Sequence, residues 1–299
     1  MTEKAEFNAA KVAVGSIYLT LQNILSTLIG VLGYAYMARA ITQEEMGVIA
    51  AATLLCSLVQ TLIGFGLNSS IAKFVSEDIG KRTDPSKHVT SALILRLPLT
   101  IFAASQIAIF SKPLSIILFK TPAYSNILTL IAIDTIPLSI APLLNNTLLG
   151  YGKLKNIAVY GVSSTTARWL FITLFLLNGQ GLTGVIYGWI IGDTALMTML
   201  TLATLTRINL KKETLSETAK LIPQMLKFSL PIYISTIISF LYTWYDKALI
   251  LAFLPLEQLG IYNIAYTAFG VLQSIATSLG SALFPYYGTM YGRNNHKAI

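Results

Sequence analysis

Stretches of more than twenty mostly apolar residues recur eight times along this chain, and that recurrence limits what it can fold into more than any motif does. They cover residues 12–37, 48–72, 89–110, 127–150, 156–177, 182–205, 228–254 and 261–287. A helix needs about 20 such residues to cross the hydrocarbon core of a bilayer, where every backbone hydrogen bond has to be made internally. Composition argues against a soluble alternative. Of 299 residues, 54% are hydrophobic and 11% charged, whereas an ordinary soluble domain is about 25% charged. A mean hydropathy of +0.66 leaves too little polar surface to cover a globule. The sequence therefore predicts an all-α integral membrane protein with about eight transmembrane helices. The apolar stretch after Lys11 is too long for a signal core and has no small-residue cleavage site, so it reads as a retained helix. Residues 113–119, apolar but short and bracketed by Lys112 and Lys120, are expected to lie at the interface.

The net charge of +8 is distributed by topology. Lys4 and Lys11 precede the first span, and Lys73, Lys81, Arg82 and Lys87 follow the second. Lys153 and Lys155 follow the fourth, Arg207, Lys211, Lys212, Lys220 and Lys227 the sixth, and Arg293 and Lys297 the eighth. The alternate loops hold only Arg39, Lys112 and Lys120. Cationic loops stay on the cytoplasmic side, so both termini are expected in the cytoplasm of a multi-pass cell-membrane protein. The basic balance then reflects orientation and anionic lipid headgroups, not nucleic acid. One cysteine, Cys56, and two histidines, His88 and His296, leave no set for a thiolate or histidine metal centre. No Walker motif occurs, no cofactor is expected, and the loops lack the paired carboxylates a membrane enzyme would need.

The chain also repeats itself. A displacement of 213 residues lays Ile41–Val48 of the first outer turn on Leu254–Ile261 of another, each with an acidic residue three positions before a glycine. The same displacement pairs Gln22, Ser26, Gly30 and Gly33 with Ser235, Ser239, Thr243 and Asp246, which recur at helical spacing and form one stripe per helix. Such a stripe serves either helix packing or a cavity wall, and the ionisable end of the second copy favours the wall. An even number of spans between the copies makes the repeat parallel. Residues 1–205 are then a six-helix lobe, 206–227 a basic cytoplasmic connector, and 228–299 the first two helices of a second lobe.

Five segments carry a resemblance. YAYMARAITQEEMGVIAAA (34–52), FGLNSSIAKFVSE (65–77), LLGYGKLK (148–155), YDKALILAFLPLEQLGIYNIA (245–265) and LFPYYGTMYG (283–292) resemble the polysaccharide-biosynthesis, O-antigen-type flippases of the multidrug/oligosaccharidyl-lipid/polysaccharide exporter superfamily. The resemblance implies two six-helix lobes facing each other in a V around a cavity open alternately to each side. It also implies transfer of a polyprenyl-phosphate- or pyrophosphate-linked oligosaccharide to the outer leaflet, for cell-surface polysaccharide or glycoprotein assembly. Such proteins have more spans than the eight found here, so a truncated product or a second polypeptide supplying the missing helices is expected. A drug or small-cation exporter of the same superfamily and a non-transporting remnant are the alternatives.

Ionisable residues inside spans are the candidate site, because a charge at the bilayer centre costs about 2.5–3.5 kcal/mol even on lenient insertion scales. Arg168, halfway along the fifth span, reads as a cavity cation that binds phosphate oxygens, or else as the partner of Asp193 in the sixth. Arg96 either enters the cytoplasmic half of the cavity or snorkels to the headgroups. Asp134 stands before Pro137 and Pro142, where a kinked helix suits a gate or a cation site, or simply makes a local hydrogen bond. Asp246 continues the second stripe, and Lys247 points about 100° away from it. Lys247, Arg168 and Arg96 are the expected substrate cations. Asp246, Asp193 and Asp134 are expected to couple proton or sodium binding to gating. Gln22, Ser26, Ser235, Ser239 and Thr243 are expected to line the cavity.

Overall fold

The computed structural model describes residues 9–208, 218–271 and 273, with side chains from residue 14 onward. Its long helices are α1 (Ala9–Ala40), α2 (Gln43–Gly64), α3 (Leu67–Lys81), α4 (Ser86–Ile109), α5 (Ser111–Phe119), α6 (Ser125–Gly150), α7 (Leu154–Leu177), α8 (Gly181–Leu205) and α9 (Ile222–Phe253). Residues 256–271 form a further helical run. Six described helices are long and apolar enough to span a bilayer: Val14–Ala40, Gln43–Gly64, Ser86–Ile109, Ser125–Gly150, Gly181–Leu205 and Ile222–Phe253. α7 falls outside that set because Ser163, Ser164, Thr165, Thr166 and Arg168 dilute its middle. Part of that polarity is enclosed, since α7 packs against α1 and α8 and buries Ser164, with Thr165 and Arg168 half-buried and Ser163 and Thr166 exposed. Large apolar side chains instead face outward, Leu32 at 73% and Phe253 at 80% exposure, a distribution suited to lipid and not to water.

Three boundaries differ from the hydropathy reading. The second span begins at Gln43, not at 48, because Thr42 caps α2 in a reciprocal capping box with Glu45. It ends at Gly64, not at 72. Phe65 and Gly66 both take left-handed backbone angles, φ +46° and +66°, which terminate a helix, and α3 starts afresh at Leu67. α9 starts at Ile222, inside the expected connector. Residues 209–217 of that connector and most of the expected eighth span lie outside the described residues. The short apolar piece forms α5, with Ile116 and Ile117 exposed.

Arg96 is 1% exposed, so it neither snorkels nor enters a cavity. Its guanidinium donates to the carbonyls of Ile63, at 2.6 Å, and Ser139, at 3.2 Å. Ile63 belongs to the last turn of α2, whose carbonyls lack helical donors. Ser139 adjoins Leu138, whose carbonyl Pro142 deprives of its helical partner. Arg96 thus fastens the α2–α3 break to α6, which stays one continuous helix through both prolines.

The two repeated turns meet each other. A Cβ on Gly47 would collide with the backbone of Leu256, and one on Gly260 with the backbone of Gln43. The 213-residue displacement carries Gly47 onto Gly260 and Gln43 onto Leu256, so the contact is self-complementary, as across a two-fold axis. Tyr124 ties the α5–α6 loop to the same end, its hydroxyl donating to Glu44 at 2.9 Å. Burial, with this bond and the Glu44 charge added, pushes its phenol up to about 12.

Candidate functional site: a cationic cavity beneath the paired turns

Under the turns lies a cavity of about 470 Å³. Tyr34 and Met37 from α1, Ile49 and Thr53 from α2, and Thr165, Arg168 and Trp169 from α7 form one side. Trp189 from α8, Lys247 from α9, and Asn263, Tyr266, Thr267 and Gly270 from the 256–271 helix close it. Thr53 is ten residues into α2, about 15 Å along the axis at 1.5 Å per residue, which puts the cavity near the middle of a span. The repeat displacement also maps Tyr34 onto Lys247 and Thr53 onto Tyr266. Both members of each pair line the cavity, so the pseudo-two-fold relation runs through it.

The lining contains two cations and no acid. Lys247 is 5% exposed, with its ammonium 4.1 Å from the Tyr266 ring centre and 4.5 Å from that of Trp244. Arg168 lies 4.9 Å from the Trp189 ring centre. Aromatic faces attract a cation through their quadrupole without cancelling its charge, so both groups remain able to hold an anion. Asn263 donates to the Tyr34 hydroxyl at 3.0 Å, bridging α1 to the 256–271 helix above the cavity floor. An apolar groove of about 490 Å³ adjoins it, lined by Val31, Ala35, Ala38, Ile264, Ala268 and Val271 among others. Tyr34, Trp169, Thr267 and Gly270 belong to both spaces.

The structure brings Arg168 and Lys247 together and distributes the other candidates differently. Asp193 stands behind Arg168, its Oδ1 3.5 Å from the guanidinium. Asp134 is fully buried on α6, with neither carboxylate oxygen in a hydrogen bond. Asp246 accepts from the Tyr262 hydroxyl and, at 2.7 Å, from the Lys247 amide, and it lies outside the lining. Gln22 sits on Gly161, and Gly33 on the Trp169 ring, so the first stripe is where α7 docks on α1. Ser26 lies on that face with its hydroxyl buried and without a hydrogen-bond partner. On α9, Ser235, Ser239 and Thr243 are exposed. The aromatic walls, Trp169 and Trp189 above all, were not anticipated, although Trp169 follows Arg168 directly. Tyr34 occupies the position after Gln22, Ser26 and Gly30 at a spacing of four, a continuation the stripe itself offered.

These features define an all-α, multi-pass membrane protein whose described helices enclose a cavity lined by two cations. Residues 12–290 match the family described as polysaccharide biosynthesis protein, and the chain belongs to that family. It is 26% identical over 291 residues to the probable low-salt glycan biosynthesis flippase Agl15 of Haloferax volcanii. That match takes in 96% of this chain but 58% of the relative, so the chain spans under two thirds of its length. Among solved structures, one described as protein A superposes with a TM-score of 0.77 at 15% identity, over 97% of this chain and 67% of that one. An outward-facing multidrug-resistance MATE transporter of the MOP superfamily superposes at 0.59 and 12% identity, over 90% and 64% of the respective chains. Both share the fold.

Proposed function

We propose that the chain forms the substrate-holding part of a flippase that carries a polyprenyl-phosphate- or pyrophosphate-linked oligosaccharide from the cytoplasmic to the outer leaflet. The observation that carries this reading is the pairing of a two-cation, acid-free cavity with an adjoining apolar groove. Phosphate oxygens accept charge-assisted hydrogen bonds from Arg168 and Lys247, and Arg offers them a planar fork. The aromatic and amide groups of Tyr34, Tyr266 and Asn263 suit sugar hydroxyls and ring faces. The apolar groove suits the first isoprene units, which keep the remaining tail in lipid. Both termini lie in the cytoplasm in this reading, and the paired turns form an extracytoplasmic closure that has to part for release. Lobe rocking about the cavity supplies alternating access.

The three tryptophans of the chain all stand at or beside the cavity, Trp169 and Trp189 in its wall and Trp244 against Lys247, so their fluorescence reports occupancy. With the purified chain in nanodiscs, farnesyl pyrophosphate is expected to change the emission saturably, and a lipophilic cation such as tetraphenylphosphonium is not. Saturable binding of the cation with no response to the pyrophosphate would replace the flippase reading with that of a cation exporter.

A further inference from the structure

Three glycines recur at every fourth residue of α8, Gly184, Gly188 and Gly192, and all three meet α7. A Cβ on Gly184 would press on Phe175, one on Gly188 on the backbone of Ile172 and the Arg168 carbonyl, and one on Gly192 on the Cα, Cβ and Cγ of Arg168. Missing side chains let two membrane helices approach backbone to backbone. The stem of Arg168 therefore lies flat against α8. Its neighbour Trp169 is held from the other side, since a Cβ on Gly33 of α1 would collide with the Trp169 ring. Arg168 and Trp169 are thus clasped between two glycine notches.

Trp189 and Asp193 each follow one of these glycines by a single position, so they form a second stripe about 100° around α8 from the first. The glycine stripe admits the stem of Arg168, and the second stripe receives its head. The Trp189 ring centre lies 4.9 Å from the guanidinium carbon, and Asp193 Oδ1 lies 3.5 Å from Nη1. Asp193 reaches only that nitrogen. Nε and Nη2 form the other edge of the guanidinium, a fork of parallel donors that matches two oxygens of one phosphate.

We propose that Gly188, Trp189 and Gly192 form a seat that fixes Arg168 with its Nε–Nη2 edge toward the cavity, a positioning role that rests on the reading of the cavity as a phosphate site and adds what sets its geometry. A free arginine side chain loses much rotamer freedom when it engages a ligand. One already seated loses less and binds more tightly through the same contacts. The seat also makes the site directional. Arg168 presents a plane with a fixed edge, whereas Lys247, resting on the Tyr266 and Trp244 rings, offers a point charge. Arg168 then reads phosphate geometry, and Lys247 adds attraction.

The test is a double-mutant cycle on farnesyl pyrophosphate binding to the intact chain in nanodiscs, measured by calorimetry because one variant removes a tryptophan. Gly192→Ala adds a methyl group and removes no charge or hydrogen-bonding group. It should weaken binding by about tenfold in the wild-type background, but by less than about twofold where Arg168 is already glutamine and no guanidinium is left to misplace. Trp189→Leu should show the same dependence on Arg168, which covers an alanine variant that fails to fold. Weakening by the same factor in both backgrounds, the result of a merely structural role or of direct ligand contact, overturns the seat and leaves the phosphate site standing. So does unchanged binding in both backgrounds. Wild-type affinity in Arg168→Gln alone, or no binding by the wild type, overturns the phosphate reading together with the seat.

Discussion

Replacing Arg168 and Lys247 together with glutamine is expected to abolish measurable binding of a polyprenyl pyrophosphate while leaving the helices intact. Each cation contributes one or more hydrogen bonds to a charged acceptor, worth about 1.5–3 kcal/mol each. Every 1.4 kcal/mol is about tenfold in affinity. Single replacements should therefore weaken binding by about ten- to hundredfold, and the double replacement by more than either, short of the full product because both side chains hold one phosphate. Lys247 rests on the Tyr266 and Trp244 rings, whereas Arg168→Gln takes a cation from Asp193, so the fold control matters most for that variant. Equilibrium titration of tryptophan emission, with circular dichroism as the control for helix content, measures the effect. Unchanged affinity in the double variant would remove the cations from the site.

In the proposed reading, in which the paired turns form an extracytoplasmic closure, Gly47→Val is expected to hold that closure open. The Gly47 Cα faces the Leu256 backbone so closely that even a Cβ collides with it, and Gly260 faces the Gln43 backbone in the same way. Backbone cannot step aside as a side-chain tip can, and overpacking of this sort costs about 1–3 kcal/mol or more. That is enough to shift a balance between closed and open turns by about tenfold or more. The readout follows from the single cysteine of the chain, Cys56, which is buried. In a Cys56→Ala background, a cysteine at Thr53 in the cavity wall should react with an impermeant thiol reagent from the outer side at least about tenfold faster when Gly47 is valine. The same labelling rate with and without the valine would show that the turns are not the closure.

Particular residues show why some of this was legible in the sequence and some was not. Arg168 and Lys247 stood out because a cation in an apolar span is rare for a plain energetic reason, and the structure puts both in one cavity. The glycine turns stood out because they repeat, and the repeat predicts which backbones meet. Arg96 satisfied the same rarity rule, yet its partners are backbone carbonyls of Ile63 and Ser139 on two other helices. Only tertiary structure places those side by side. The break itself was written as Gly64-Phe65-Gly66, but averaging hydropathy over a span hides two glycines. The polar stripes teach a similar point. One spacing pattern packs against α7 on α1 and stands exposed on α9, because a stripe specifies a face and not its neighbour. The aromatic wall was missed because tryptophan and tyrosine are common in membrane helices, and only their position beside the cations gives them meaning.

The most direct test is a structure of the chain in lipid with a polyprenyl pyrophosphate bound. The account predicts phosphate oxygens within hydrogen-bonding distance of both the Arg168 guanidinium and the Lys247 ammonium, with the first isoprene units in the groove between α1 and the 256–271 helix. Phosphate density elsewhere, with the cavity between Trp169, Trp189 and Tyr266 left to water, would contradict it.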